Sequence, residues 1–211
     1  MSLGAGIRRR FGPLEGPVTD LYRAFFGDLG RQVRQARQWA PSAENILEIG
    51  CGEGAVCERL AVEFPAALVT GIDVTPRAGR LFRGDARRVR FACSTAAALA
   101  AERPAAFDLI LACDVLHHVP WGQHEGLLRE AARLLRPGGA IVVKDWELIP
   151  NVGHWLCEFS DRVLTGDDVK YGSAEYFRGL LESVFGPGSV RDQARIPPWR
   201  NNLMLLALPE A

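Results

Sequence analysis

Lysine is almost missing from this chain. Of 25 basic residues only Lys144 and Lys170 are lysine, and the rest are arginine. With so much alanine, a GC-rich coding sequence accounts for the bias, and an arginine-built anion surface is the functional alternative. A lysine that persists in such a background merits scrutiny. Net charge is missing too: 25 Lys+Arg balance 25 Asp+Glu. That argues against nucleic acid or an anionic membrane as the main partner, since both are usually met by a basic excess. Cysteine is sparse and odd in number, at positions 51, 57, 93, 113 and 157, with no CxxC pair. Neither a disulfide framework nor a zinc site is implied. No apolar run approaches the ~18–20 residues of a spanning helix. Arg8-Arg9-Arg10 is followed by no apolar core, so no signal peptide is expected and a cytoplasmic location is the default. The 22 Gly and 13 Pro are scattered, which excludes collagen and low-complexity chains.

What is present is alternation. Leu21, Phe25, Leu29 and Val33 recur at helical spacing and predict a helix over 20–39. Strands are expected at 45–49, 67–72, 89–93, 107–112 and 140–144. Helices are expected at 53–64, 95–101, 123–135 and within 172–184, with a short helix plus loop over 76–90. Two late strands, 190–196 and 203–208, have no helix between them. Five strand–helix units predict an α/β, doubly wound, mostly parallel seven-stranded sheet with an antiparallel C-terminal hairpin. Residues 145–171 break the alternation. They read as an insertion at the carboxyl edge, where such folds bind ligands.

The chemistry is concentrated at Glu48-Ile49-Gly50-Cys51-Gly52-Glu53-Gly54-Ala55, between a predicted strand and a predicted helix. Glycines there permit a tight turn and close approach of a ligand. Asp73 ends the next predicted strand, where an acid accepts hydrogen bonds from ribose hydroxyls. The pair specifies a nucleoside-containing cofactor. Read as Gly50-x-Gly52-x-x-Ala55, the loop satisfies a dinucleotide fingerprint and an NAD(P)-dependent oxidoreductase. Read as Glu48-x-Gly50-x-Gly52-x-Gly54, it resembles motif I of the class I S-adenosylmethionine-dependent methyltransferases.

Other segments favour the second reading. Phe107 to Val119, with Cys113-Asp114-Val115-Leu116-His117-His118 at its centre, is similar to that family's fourth-strand segment. Leu134-Leu135-Arg136-Pro137-Gly138-Gly139 and the strand after it resemble its fifth-strand motif. The resemblance covers residues 44–145 and implies S-adenosylmethionine as cofactor. It places Gly50, Cys51 and Gly52 against the methionine and ribose portions, and Asp73 on the ribose hydroxyls. Val74 would pack on adenine, and the Cys113 carbonyl would meet the amino group. Glu48 would orient the loop or reach the methionine end through water. The family often has Asp or Asn after the third strand; Ser94 or Thr95 stands here and offers a hydroxyl instead.

For catalysis the candidates are His117, Lys144 and Asp145, with an ion pair at Lys144 or Asp145 as the structural alternative. His118 reads as structural. His154, Trp155 and Tyr171 are candidates for an acceptor pocket, and Tyr22 and Phe26 for a lid. No metal is expected, because Asp114 has no evident ligand partners in sequence. The six arginines between Arg77 and Arg90 read as a solvated loop opposed only by Asp85, or else as an anion site. The whole chain is expected to be one domain, with 1–43 a helical lid and 146–173 lining the acceptor pocket. The expected reaction is methyl transfer to oxygen or nitrogen of a small molecule. The alternatives are the oxidoreductase and a non-catalytic cofactor-binding protein.

Overall fold

A computed structural model describes residues 27–149 and 170–209. Seven strands form one sheet: β1 (Asn45–Ile49), β2 (Leu68–Asp73), β3 (Val89–Cys93), β4 (Phe107–Cys113), β5 (Leu135–Trp146), β6 (Val190–Arg195) and β7 (Asn202–Ala207). Their spatial order is β3-β2-β1-β4-β5-β7-β6. β7 runs antiparallel to both β5 and β6, and the remaining pairings are parallel. Five helices are described: α1 (Leu29–Trp39), α2 (Ala55–Glu63), α3 (Ala96–Glu102), α4 (Trp121–Leu134) and α5 (Ala174–Phe185). The expected α/β architecture with its C-terminal hairpin is present.

Both sheet faces are covered, which is why β1 and β4 read as almost unbroken apolar runs. Ile110, Ile141 and Val143 face α4 and α5, while Leu109, Leu111 and Val142 face α1 and α2. Burying each such side chain contributes roughly 1.5–3 kcal/mol. The alternation matters at the end of β5. Lys144 continues the α1 face, and Asp145 continues the opposite one.

Capping sets the helix starts. Asp28, Thr95 and Ser173 accept hydrogen bonds from Arg31, Ala98 and Tyr176 N–H. Each cap is typically worth about 1 kcal/mol. The expected helix over 20–39 is described from Leu29 onward, and residues 1–26 lie outside the described residues. Three expectations are corrected. No helix forms over 76–90, because Gly79 has φ +71° and seats against the Phe91 ring, which a helical backbone there would lift away. α4 begins at Trp121, directly after Pro120. β5 begins at Leu135, not Ala140, and Pro137-Gly138-Gly139 is a bulge within it, where pairing jumps from Phe107–Leu135 to Leu109–Ala140.

Candidate functional site

The carboxyl ends of β1, β2, β4 and β5 meet where crossovers leave β1 toward opposite edges, the ligand crevice of open α/β sheets. The glycine loop lies there. Gly50 and Cys51 N–H both donate to the Ile72 carbonyl, at 2.8 and 3.0 Å, which ties the loop to β2. Gly50, Gly52 and Gly54 have φ of +72°, +50° and +97°, a region that favours glycine. Asp73 closes the arrangement. One of its carboxylate oxygens accepts from Gly52 N–H at 2.8 Å and the other from Thr75 N–H at 2.9 Å. Each oxygen keeps a lone pair for a further donor.

The glycines differ in what surrounds them. A Cβ on Gly50 would lie far inside van der Waals contact with Val115 Cγ2, whereas one on Gly52 would meet no protein atom within 4 Å. Gly52 therefore faces the space a ligand would fill. Gly50→Ala should lose stability by about 2 kcal/mol or more, from the clash plus the backbone penalty. Gly52→Ala should lose only about 1 kcal/mol yet abolish ligand binding. Thermal melts paired with calorimetry check this; equal stability losses in the two variants would refute the assignment of faces.

On the far side of the crevice, β5 grips the segment after β4. Asp145 is buried. One of its oxygens accepts from Leu116 and His117 N–H, at 2.9 and 3.3 Å, and caps the short 3-10 turn Leu116–His118. The other accepts from Trp146 N–H at 2.7 Å and lies 2.6 Å from His117 Nδ1. Burial pushes the Asp145 carboxyl up, but His117, the Trp146 N–H and Lys144 outweigh it and leave it lowered. The stability it contributes is thus present above the ordinary aspartate range and lost as pH falls through its depressed value. Asp145→Asn should flatten the acid limb of stability below about pH 4 and cost about 3 kcal/mol at pH 7; a pH series of denaturant melts reads both.

The turn stacks His117 against Tyr171, with ring centroids 5.8 Å apart. Lys144, on the other face of β5, donates from Nζ to Asp114 Oδ1 at 2.6 Å and lies 5.4 Å from the Trp146 ring centroid. The structure thus gathers the three catalytic candidates, and it adds Asp114. That residue lacks partners only in sequence: Asp114, His117 and Asp145 offer ligand atoms all within 4.8 Å of one another. The same three side chains also make the His117–Asp145 and Asp114–Lys144 pairs. A positive φ of +56° at a non-glycine marks Asp114, and no sequence pattern announces that.

The other candidates are placed as follows. Glu48 is buried on β1, on the α1 face, where its charge helps push the Cys113 thiol up, after the larger effect of burial. Cys113 is thereby kept as a protonated thiol, leaving its main chain for binding. Val74 is 75 % exposed at the end of β2, open to a ligand. The Thr95 hydroxyl is committed as an acceptor to Ala98 N–H, and Ser94 Oγ donates to the Thr95 carbonyl at 3.3 Å. Each hydroxyl oxygen keeps a lone pair for a further donor. The arginine stretch meets more acid than Asp85: Arg80 pairs with Glu53 at 2.7 Å, and Arg83 N–H donates to Glu58. Arg88 donates to the Ala61 and Phe64 carbonyls at the end of α2. Tyr171 is buried with Trp146 and Trp199. Tyr22, Phe26, His154, Trp155 and Arg8–Arg10 lie outside the described residues.

Residues 46–139 match the family described as "Methyltransferase domain". The chain is 32% identical over 117 residues to a ubiquinone biosynthesis O-methyltransferase of Idiomarina loihiensis, covering 54% of this chain and 46% of that one. It is 34% identical over 126 residues to a trans-aconitate 2-methyltransferase of Paracidovorax citrulli, covering 59% and 48%. The chain spans about half the length of these curated relatives. In structure it is similar to the 1,6-didemethyltoxoflavin-N1-methyltransferase of Burkholderia thailandensis, solved with S-adenosylhomocysteine bound. The TM-score is 0.70 at 19% identity, over 98% of this chain and 88% of that one. No helix among the described residues is long and apolar enough to cross a membrane.

Proposed function

Residues 46–139 match a methyltransferase domain, and we propose that the chain is a class I S-adenosylmethionine-dependent methyltransferase that methylates a hydroxyl oxygen of a small-molecule acceptor. The observation that carries this reading is the joined glycine loop and acid: Asp73 fastened to Gly52 N–H beside open space. That arrangement fits the cofactor. Asp73 would accept from the ribose hydroxyls, Gly50 to Gly52 would lie along the ribose and methionine portions, and Val74 would cover adenine. Ser94 and Thr95 would border the adenine, and the Cys113 carbonyl would take the amino group. When bound, S-adenosylmethionine supplies a methyl activated on a sulfonium, and transfer is an in-line displacement.

The protein's own contribution is placement, worth up to about 7–11 kcal/mol in favourable cases, and removal of a proton. Asp145 lies 2.6 Å from His117 Nδ1, so the carboxylate orients the imidazole and stabilises its protonated form. The imidazole takes the acceptor's hydroxyl proton as the oxygen attacks. Oxygen is favoured over nitrogen because a hydroxyl needs such a base, and because the relatives include O-methyltransferases. Residues 1–43 and 146–173 choose the acceptor. Free buried thiols at Cys51, Cys57 and Cys113 suit a reducing cytoplasm.

Calorimetry with S-adenosylmethionine, S-adenosylhomocysteine, NAD and NADP tests the cofactor. Nicotinamide binding without binding of either adenosyl cofactor would return the oxidoreductase reading. Labelled methyl transfer to a panel of phenols, enols, carboxylates and amines then tests the acceptor. Cofactor binding with no transfer to any of them favours a non-catalytic protein.

A further inference from the structure

We propose that Lys144 is a positioning residue for the cofactor loop: it clamps Asp114 in a left-handed backbone conformation and so seats Val115 against Gly50. The inference rests on the cofactor reading above. Lys144 holds Asp114 at two points. Its carbonyl accepts from Asp114 N–H at 2.8 Å, and its Nζ donates to Asp114 Oδ1 at 2.6 Å. Asp114 has φ +56°, a conformation aspartate tolerates better than most residues but does not prefer. Such strain persists where the surroundings over-determine it.

The chain of contacts continues to the site. Asp114 follows Cys113 directly, and the next side chain, Val115, presses on the Gly50 backbone. Lys144 is itself pinned, paired with Cys113 on one side and Met204 on the other. Its side chain is 3% exposed and that of Asp114 38%, so the ammonium works from beneath and not from the crevice. Consecutive residues of β5 divide the labour: Asp145 holds the 115–118 turn from one face, and Lys144 holds its entrance from the other. A compact ammonium fits one carboxylate oxygen above the Trp146 ring, where a planar guanidinium fork would need more room. That is a physical reason for a lysine to remain in a chain that otherwise uses arginine.

The test is calorimetric binding of S-adenosylhomocysteine to three variants. Lys144→Met places an unbranched apolar chain, one atom shorter, against Trp146 and Met204, so a cooperative melt is retained. Its affinity is expected to fall about tenfold or more. Lys144→Met with Asp114→Gly should recover to within about threefold of wild type, since glycine adopts positive φ without a clamp. Lys144→Gln, neutral but able to donate to Asp114, should stay within about threefold and decides the matter if the methionine variant does not fold. Unchanged affinity in Lys144→Met overturns the inference. Loss that Asp114→Gly fails to rescue also overturns it, in favour of a direct role for the lysine charge. A wild-type protein that binds neither adenosyl cofactor removes this inference together with the cofactor reading, whereas failure in the variants alone leaves that reading standing.

Discussion

Replacing His117 by asparagine should lower kcat by roughly 10²–10⁴-fold while cofactor affinity stays within about threefold. The choice of asparagine is deliberate. Its side-chain amide can donate to Asp145 from near the Nδ1 position, and Asp145 keeps its hydrogen bonds to Leu116 and His117 N–H whatever the side chain is. The turn therefore survives, and what is lost is the second ring nitrogen. Alanine would confound this by emptying a buried site beside Tyr171. The deficit should shrink as the acceptor becomes more acidic, because a phenol already ionised at the assay pH needs no base. It should shrink likewise as pH rises. A variant turning over within about threefold of wild type, on the least acidic acceptor, would show that His117 only packs.

The His117–Asp145 pair was half legible in the sequence, and the reason is geometric. His117 and Asp145 could each be named from their place after a strand. Their union could not, because it depends on β4 and β5 being neighbours in register, with Cys113 opposite Lys144. Once that register is known, the alternation of side chains forces Lys144 and Asp145 to opposite faces, and each then meets a different part of the 114–118 segment. Asp114 was weighed only as a metal ligand for a related reason: its significance lies in a backbone angle and a partner 30 positions away. The glycine loop was readable because three glycines in five residues between a strand and a helix have few other uses. The missing helix at 76–90 shows the opposite case. Arginine and alanine favour helix locally, but Gly79 must lie flat on Phe91 and beneath the loop, donating to the Gly52 carbonyl at 3.0 Å. Tertiary contact overrode propensity there.

Replacing Asp73 by alanine should weaken S-adenosylhomocysteine binding by about 100-fold or more, measured by calorimetry. Hydrogen bonds to a charged acceptor are each worth about 1.5–3 kcal/mol, and two ribose hydroxyls would be deprived of one; 1.4 kcal/mol is tenfold. Some of the loss is indirect. Asp73 also holds Gly52 N–H at 2.8 Å and Thr75 N–H at 2.9 Å, so the loop loosens when it goes. A cofactor analogue lacking the 2′-hydroxyl separates the contributions. Against wild type it should bind about tenfold more weakly than the parent, and against Asp73→Ala nearly as well as the parent, because the partner of that hydroxyl is already gone. If the analogue loses equally in both proteins, Asp73 serves the loop alone and the ribose is held elsewhere. The stability cost of the substitution should stay near 1 kcal/mol, since the carboxylate is only half-buried and water can replace it at both N–H groups. A large loss of affinity with a small loss of stability is the signature expected of an acid kept for its ligand and not for the fold.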